Sequence, residues 1–147
     1  MSEVRKKLID MLNKALELEH AARIQYLAHA ELVKGINSEP IIERLKEIAS
    51  DEQKHEEIFR TLVAAYLGGN PSMTLEKTFD AEEIDEILKV NLKGEKDAID
   101  YYKQVYKFLI ENKTEFPYEF EKLEHQIRHV IMDEEEHVVE ISNLIGK

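Results

Sequence analysis

Asp51-Glu52-Gln53-Lys54-His55 recurs 82 residues later as Asp133-Glu134-Glu135-Glu136-His137, and the surroundings of both pentapeptides recur with them. Ile41/Leu123, Leu45/Ile127, Ile48/Val130, Glu52/Glu134, His55/His137, Phe59/Ile141 and Leu62/Leu144 correspond at that offset, in steps of four and three. Such steps keep residues on one face of an α-helix, so each pentapeptide lies within a helix and its Glu and His share the apolar face. An offset of 76 gives a second correspondence, at Leu12/Leu88, Leu16/Leu92, Glu19/Glu95, Ala22/Ala98 and Tyr26/Tyr102. Two helical hairpins with one inward pattern follow.

Punctuation between the periodic stretches sets the boundaries. A first helix is expected from Glu3 to about Val33, stopped by Lys34-Gly35. A second runs from about Glu39 to Leu67, with Ser38 as N-cap and Pro40 in the first turn, and ends at Gly68-Gly69-Asn70-Pro71. Asp80 with Glu83 reads as a capping box for a third helix that reaches about Glu111. A turn over Thr114 to Pro117 leads into a fourth, which ends near Ile145. Helices of about 30 residues are about 45 Å long, and a 12-residue link over 69–80 spans about 40 Å extended, nearly the length of a bundle. The expected architecture is an all-α antiparallel four-helix bundle with a long crossover between helices two and three. Residues 1–147 read as a single domain, with no low-complexity segment.

Composition narrows the chemistry. The chain has no cysteine, which excludes disulfides, thiolate metal sites and thiol nucleophiles. Its formal net charge of −11 disfavours nucleic acid and anionic membranes as partners and suits cations. The opening MSEVRKKLID carries no apolar run and nothing approaches the ~18 apolar residues of a membrane span, so a cytoplasmic location is expected.

Along the inward stripes the only charged or imidazole side chains are Glu19, Glu52, His55, Glu95, Glu134 and His137. The four carboxylates sit some 13 to 17 residues into their helices, so up and down helices bring them to one level. Carboxylates buried together cost several kcal/mol each unless something neutralises them, and two divalent cations balance four negative charges. Glu-x-x-His by itself is a weak signal, because 24 Glu and 6 His in 147 residues yield about one by chance. Three are present. Glu17 and His20 form the odd one, since Glu17 is about 200° of helical rotation from Glu19 and is expected to face solvent.

The runs LELEHAARIQY around Glu19, DEQKH around Glu52, GEKDAI around Glu95 and MDEEEH around Glu134 resemble, in order and spacing, the four ferroxidase segments of bacterioferritin, within the ferritin-like di-iron carboxylate family. That resemblance implies two iron ions per chain, with manganese or zinc as alternatives, and makes Glu19 and Glu95 terminal ligands, Glu52 and Glu134 bridging ligands, and His55 and His137 one imidazole per ion. It implies Fe(II) with O2 or H2O2 as partners, an oxidoreductase of ferroxidase type serving iron storage or detoxification, and a homo-oligomer. Two departures matter. Bacterioferritins ligate haem through a methionine after the bridging Glu of the second helix, and Gln53 stands there, so haem is not expected. The chain ends ten residues after His137, so the extra helix of a large storage cage is not expected either.

Rubrerythrins, peroxide-reducing relatives, are the alternative reading, and Tyr26 and Tyr102 resemble their paired tyrosines as candidate catalytic residues. Against it, the positions one turn from Glu95 are Asn91, Leu92, Ala98 and Ile99, none acidic. A metal-free helical interaction module is the second alternative. Asp51 and Asp133 each precede a histidine ligand by one turn and are placed to accept a ring N–H across the bundle, Asp51 from His137 and Asp133 from His55. His125 and His129 form an i, i+4 pair, and His20 and His29 receive no role.

Overall fold

A computed structural model describes residues 1–146. Four helices carry the fold: α1 (Glu3–Ala30), α2 (Ser38–Thr61), α3 (Ile84–Glu111) and α4 (Phe120–Ile145). A π-helical segment, Leu62–Tyr66, extends α2, and a short 3-10 turn, Lys113–Glu115, precedes α4. Among the described residues there is no strand, so the all-α bundle is observed. Cross-helix bonds set the directions. Met11 pairs with Tyr101 while Gln25 pairs with Asn91, so α1 and α3 run antiparallel. Arg44 pairs with Glu140 while His55 pairs with Asp133, so α2 and α4 do too.

Three boundaries differ from the sequence reading, two of them for a tertiary reason. α1 stops at Ala30, three residues early, and the freed turn lets Val33 bury its side chain before Gly35 turns the chain at φ 117°. At the start of α2, Asn37 is the cap residue, its side chain makes no capping bond, and Ser38 is already helical. The Asp80–Glu83 capping box does not form: Glu83 remains extended and α3 begins at Ile84. The segment before it is held by its backbone, with Phe79 N–H donating to Gln25 Oε1 (2.7 Å) and Ala81 buried, so helix cannot begin sooner.

The crossover lies along α1. Asn13 Nδ2 donates to Asn70 O (3.0 Å), Ser72 N–H to Asn13 Oδ1 (2.8 Å), Ser72 Oγ to Glu17 Oε2 (2.5 Å), and Glu76 N–H to Glu17 O (3.1 Å). Glu17 therefore anchors the crossover instead of pointing freely into solvent.

The buried apolar side chains form two clusters. One gathers Leu8, Leu12, Leu16, Phe59, Leu62, Val105, Leu109, Leu123 and Ile127. The other gathers Ala30, Leu45, Ile48, Ile87, Leu88 and Ile141. At about 1.5–3 kcal/mol per fully buried large aliphatic side chain, these clusters supply the bundle's driving force. Between them lies the ionisable layer.

Candidate metal centre

All six predicted residues meet in that layer. Glu19, Glu52, His55, Glu134 and His137 are each 1% exposed and Glu95 is 3% exposed. His55 Nδ1 lies 3.2 Å from Glu19 Oε1, 3.2 Å from Glu134 Oε1 and 3.3 Å from Glu52 Oε1. His137 Nδ1 lies 3.3 Å from Glu134 Oε1, 3.4 Å from Glu95 Oε2 and 3.6 Å from Glu52 Oε1. Glu52 and Glu134 thus approach both imidazoles, whereas Glu19 adjoins His55 and Glu95 adjoins His137. Two overlapping donor groups result, Glu19-Glu52-His55-Glu134 and Glu52-Glu95-Glu134-His137, each with its donor atoms within 4.8 Å of one another.

Each imidazole is oriented from behind. His55 Nε2 lies 2.9 Å from Asp133 Oδ2, and His137 Nε2 lies 2.9 Å from Asp51 Oδ2. A carboxylate only accepts, so Nε2 carries the hydrogen in both rings and Nδ1 is turned toward the glutamates. The cross-bundle pairing of both aspartates is as the helix spacing indicates. The tyrosines brace the outer carboxylates: Tyr26 Oη donates to Glu95 Oε1 at 2.7 Å and Tyr102 Oη to Glu19 Oε2 at 2.5 Å.

Electrostatics without cations are unfavourable. Burial, reinforced by the charge on Glu134, pushes Glu19 up to about 7 and Glu95 up to about 8. Burial also raises Glu52 well above its ordinary value, again aided by Glu134. Glu134 moves down: burial opposes its charge, but the adjacent His137 and His55 imidazoles outweigh that. Both imidazoles are shifted strongly upward despite burial, His55 by Glu19 and the bond to Asp133, His137 by the nearby carboxylates of Glu134 and Glu95. Burial and the adjacent glutamates likewise hold Tyr26 and Tyr102 in the phenol form.

Even so, Glu52 Oε1, Glu95 Oε2, Glu134 Oε1 and His137 Nδ1 are buried with no hydrogen-bond partner. Orphaned buried polar atoms of this kind are rare in folded proteins because each costs about 1–3 kcal/mol. Carboxylate oxygens and imidazole nitrogens converging at one level are the donor set of a pair of divalent transition-metal ions. The residues present fit such ions.

A cavity of about 350 Å³ leads to the layer between α1 and α3, with Glu19, Glu52, Glu95 and Glu134 on its wall and Glu76, Lys77 and Phe79 of the crossover over it. Here the structure adds residues that sequence reasoning passed over. Gln25 Nε2 donates to Asn91 Oδ1 (2.9 Å), Asn91 Nδ2 donates to Ile87 O (2.8 Å) and to His29 Nδ1 (3.0 Å), and His29 Nε2 donates to Phe79 O (3.0 Å). His29 and Asn91 are buried, and with Gln25 they clamp the crossover from both sides of the Phe79 peptide. His20 Nδ1 donates to Thr74 O at 2.7 Å. The available signal for both histidines was their register, since they share the α1 surface that carries Asn13, Glu17 and Gln25. Buried Glu56, paired with Arg23 and with Arg60 at 3.5 Å, is another charged residue that periodicity did not single out.

The sequence model of one family, the ferritin-like domain, matches residues 9–147. Among solved structures, a ferritin-like diiron-carboxylate protein from Bacillus anthracis str. Ames is 27% identical, with a TM-score of 0.90 over 99% of each chain. Rhodobacter capsulatus bacterioferritin, described with a metal-free dinuclear site and haem iron, is 25% identical, with a TM-score of 0.85 over 96% of this chain and 84% of its own. A dodecameric thioferritin from Bacteroides fragilis, related to bacterioferritin, is 25% identical, with a TM-score of 0.81 over 95% and 84%. No curated protein sequence matches the chain. With its buried carboxylate and imidazole layer on a matching four-helix frame, this chain belongs to the ferritin-like domain family.

Proposed function

We propose that the chain binds two iron ions between its helices and oxidises Fe(II), as a ferroxidase in iron storage or detoxification. The carrying observation is the set of four buried, partnerless donor atoms beside two imidazoles whose Nδ1 atoms face four glutamates. In this reading His55 and Glu19 would hold one ion and His137 and Glu95 the other, with Glu52 and Glu134, which approach both rings, available to either. Bound Fe(II) supplies one electron per ion to the oxidant. The protein's own residues do the rest. Glu19, Glu52 and Glu95 release protons as cations enter, Asp133 and Asp51 keep the imidazole Nδ1 atoms facing inward, and the apolar clusters exclude bulk water. Tyr26 and Tyr102 hold Glu95 and Glu19 and stand next to the centre as electron or hydrogen donors. Manganese and zinc suit the same donors, and haem has no methionine at Gln53, which is exposed.

The tyrosine pair supports a second reading, peroxide reduction of the rubrerythrin kind, because both phenols contact glutamates of the layer directly. Anaerobic titration is expected to saturate at two Fe(II) per chain, followed by oxidation faster with O2 than with H2O2. Faster oxidation by peroxide selects the second reading. Absence of Fe(II) binding, with no effect of Glu52→Ala, overturns both and leaves a helical interaction module. A homo-oligomer is part of the proposal, supported by exposed Ile24 and Leu27 on α1, and light scattering reads the subunit number.

A further inference from the structure

His125, His129 and Asp133 form a ladder at single-turn spacing on α4, and none of the three lines the cavity between α1 and α3. The two imidazole rings are nearly parallel, 16° apart with centroids at 6.4 Å, and both residues are exposed. His129 Nε2 lies 3.4 Å from Asp133 Oδ2. We infer that His125, His129 and Asp133 form a separate surface site for one borderline divalent transition-metal ion, such as Zn²⁺ or Co²⁺.

The geometry of the donor pair carries the inference. Two ligand atoms 3.4 Å apart, each at a metal bond length of about 2.1 Å, subtend about 108° at the ion, close to the tetrahedral angle. His129 and Asp133 therefore accommodate an ion with little movement, and His125, one turn along the same face, becomes a third donor by rotating its ring toward them, since the three do not converge within 4.8 Å as they stand. Imidazole with a single carboxylate suits zinc, cobalt, nickel or iron rather than magnesium or calcium, which require more oxygen ligands. Arg128 stands beside the ladder, with Nη2 3.4 Å from His125 Nδ1. Its Nε donates to Glu124 at 2.8 Å, which offsets its charge, and an ion taken by His125 displaces the guanidinium contact or the Nε2 proton. The same Asp133 oxygen accepts from His55 Nε2 at 2.9 Å, so an ion on the ladder sits one carboxylate from the buried imidazole.

The test uses the chelator-treated full chain titrated with Zn²⁺. His125→Ala/His129→Ala, both at exposed positions, is expected to bind one ion fewer per chain than the unaltered protein, whatever number the buried layer holds. Side-chain NMR is expected to show the His125 and His129 resonances shifting together and saturating, with Asp133→Asn moving their midpoint at least tenfold to higher Zn²⁺. Equal stoichiometry in the two proteins overturns the site. An unchanged midpoint in Asp133→Asn overturns the carboxylate's part and with it the link to His55. Because the readout is a difference of one ion, it is independent of the oxidation chemistry proposed above.

Discussion

His55 donates its Nε2–H to Asp133 on α4 at 2.9 Å, and the matching bond joins His137 to Asp51 on α2, so each imidazole is aimed by the helix opposite its own. Asp133→Asn and Asp51→Asn can accept from the ring but lose the charge that raises its basicity. Each is expected to weaken metal binding about 10- to 100-fold while leaving the bundle folded. Calorimetric titration of both variants checks this, and unchanged affinity refutes an orienting role.

Metal-free stability is expected to fall as pH rises from 5 to 8. Glu19 and Glu95 move from an ordinary value near 4.5 to about 7 and about 8 in the fold, so over that interval the folded state holds protons that the unfolded chain has released. His55 and His137, also raised, act in the same direction above their ordinary 6.5. Cations displace those protons, so the loaded protein should gain stability from metal as pH rises. Melting curves across pH 5–8, with and without chelator, decide. A flat or rising curve for the metal-free chain contradicts the assignment.

Glu52→Gln separates stability from binding. Glu52 is 1% exposed and is held in the protonated form by burial and the charge of Glu134, so a neutral isostere removes the cost of that protonation in the metal-free protein and is expected to raise its stability by about 1 kcal/mol, or about 2–4 °C. The same change should abolish binding of at least one ion. A metal-free Glu52→Gln protein that melts lower than the parent contradicts a layer strained by like charge.

Tyr102→Phe removes the 2.5 Å bond to Glu19 and leaves that oxygen without its donor. The expected cost is about 1–3 kcal/mol in the metal-free chain. Metal stoichiometry should stay at two while the oxidation rate or its products change. Denaturant melts with stopped-flow oxidation test both halves, and unaltered kinetics would remove Tyr102 from the chemistry.

Gln25→Ala and Asn91→Ala should loosen the crossover without unfolding the bundle, because each deletes bonds around the Phe79 peptide and leaves both apolar clusters intact. Faster hydrogen exchange at the Phe79 amide and faster metal uptake through the cavity are expected, with slower exchange unchanged in α2 and α4. Unaltered exchange at Phe79 would show that the clamp is not what holds the segment.

Helix number, the antiparallel pairing and the six-residue layer were legible in the sequence because they rest on period: steps of three and four repeated at offsets of 76 and 82 leave one face for the core. The cross-bundle pairing of Asp51 and Asp133 was legible for the same reason, since register along α2 and α4 puts each one turn from a histidine. Helix ends were not. Val33, Ser38 and the Asp80–Glu83 pair carry local signals that the fold overrides, by burying Val33 and gripping the Phe79 backbone with Gln25 and His29 of α1. Gln25, His29, Asn91 and Glu17 looked like ordinary polar helix positions until the crossover lay beside them. Periodicity reports which face of a helix is apolar, and so the sequence alone determined the bundle and its buried ionisable layer. Only the packed structure decided which polar side chains meet an irregular segment, because a chain without period acquires its partners from tertiary contact.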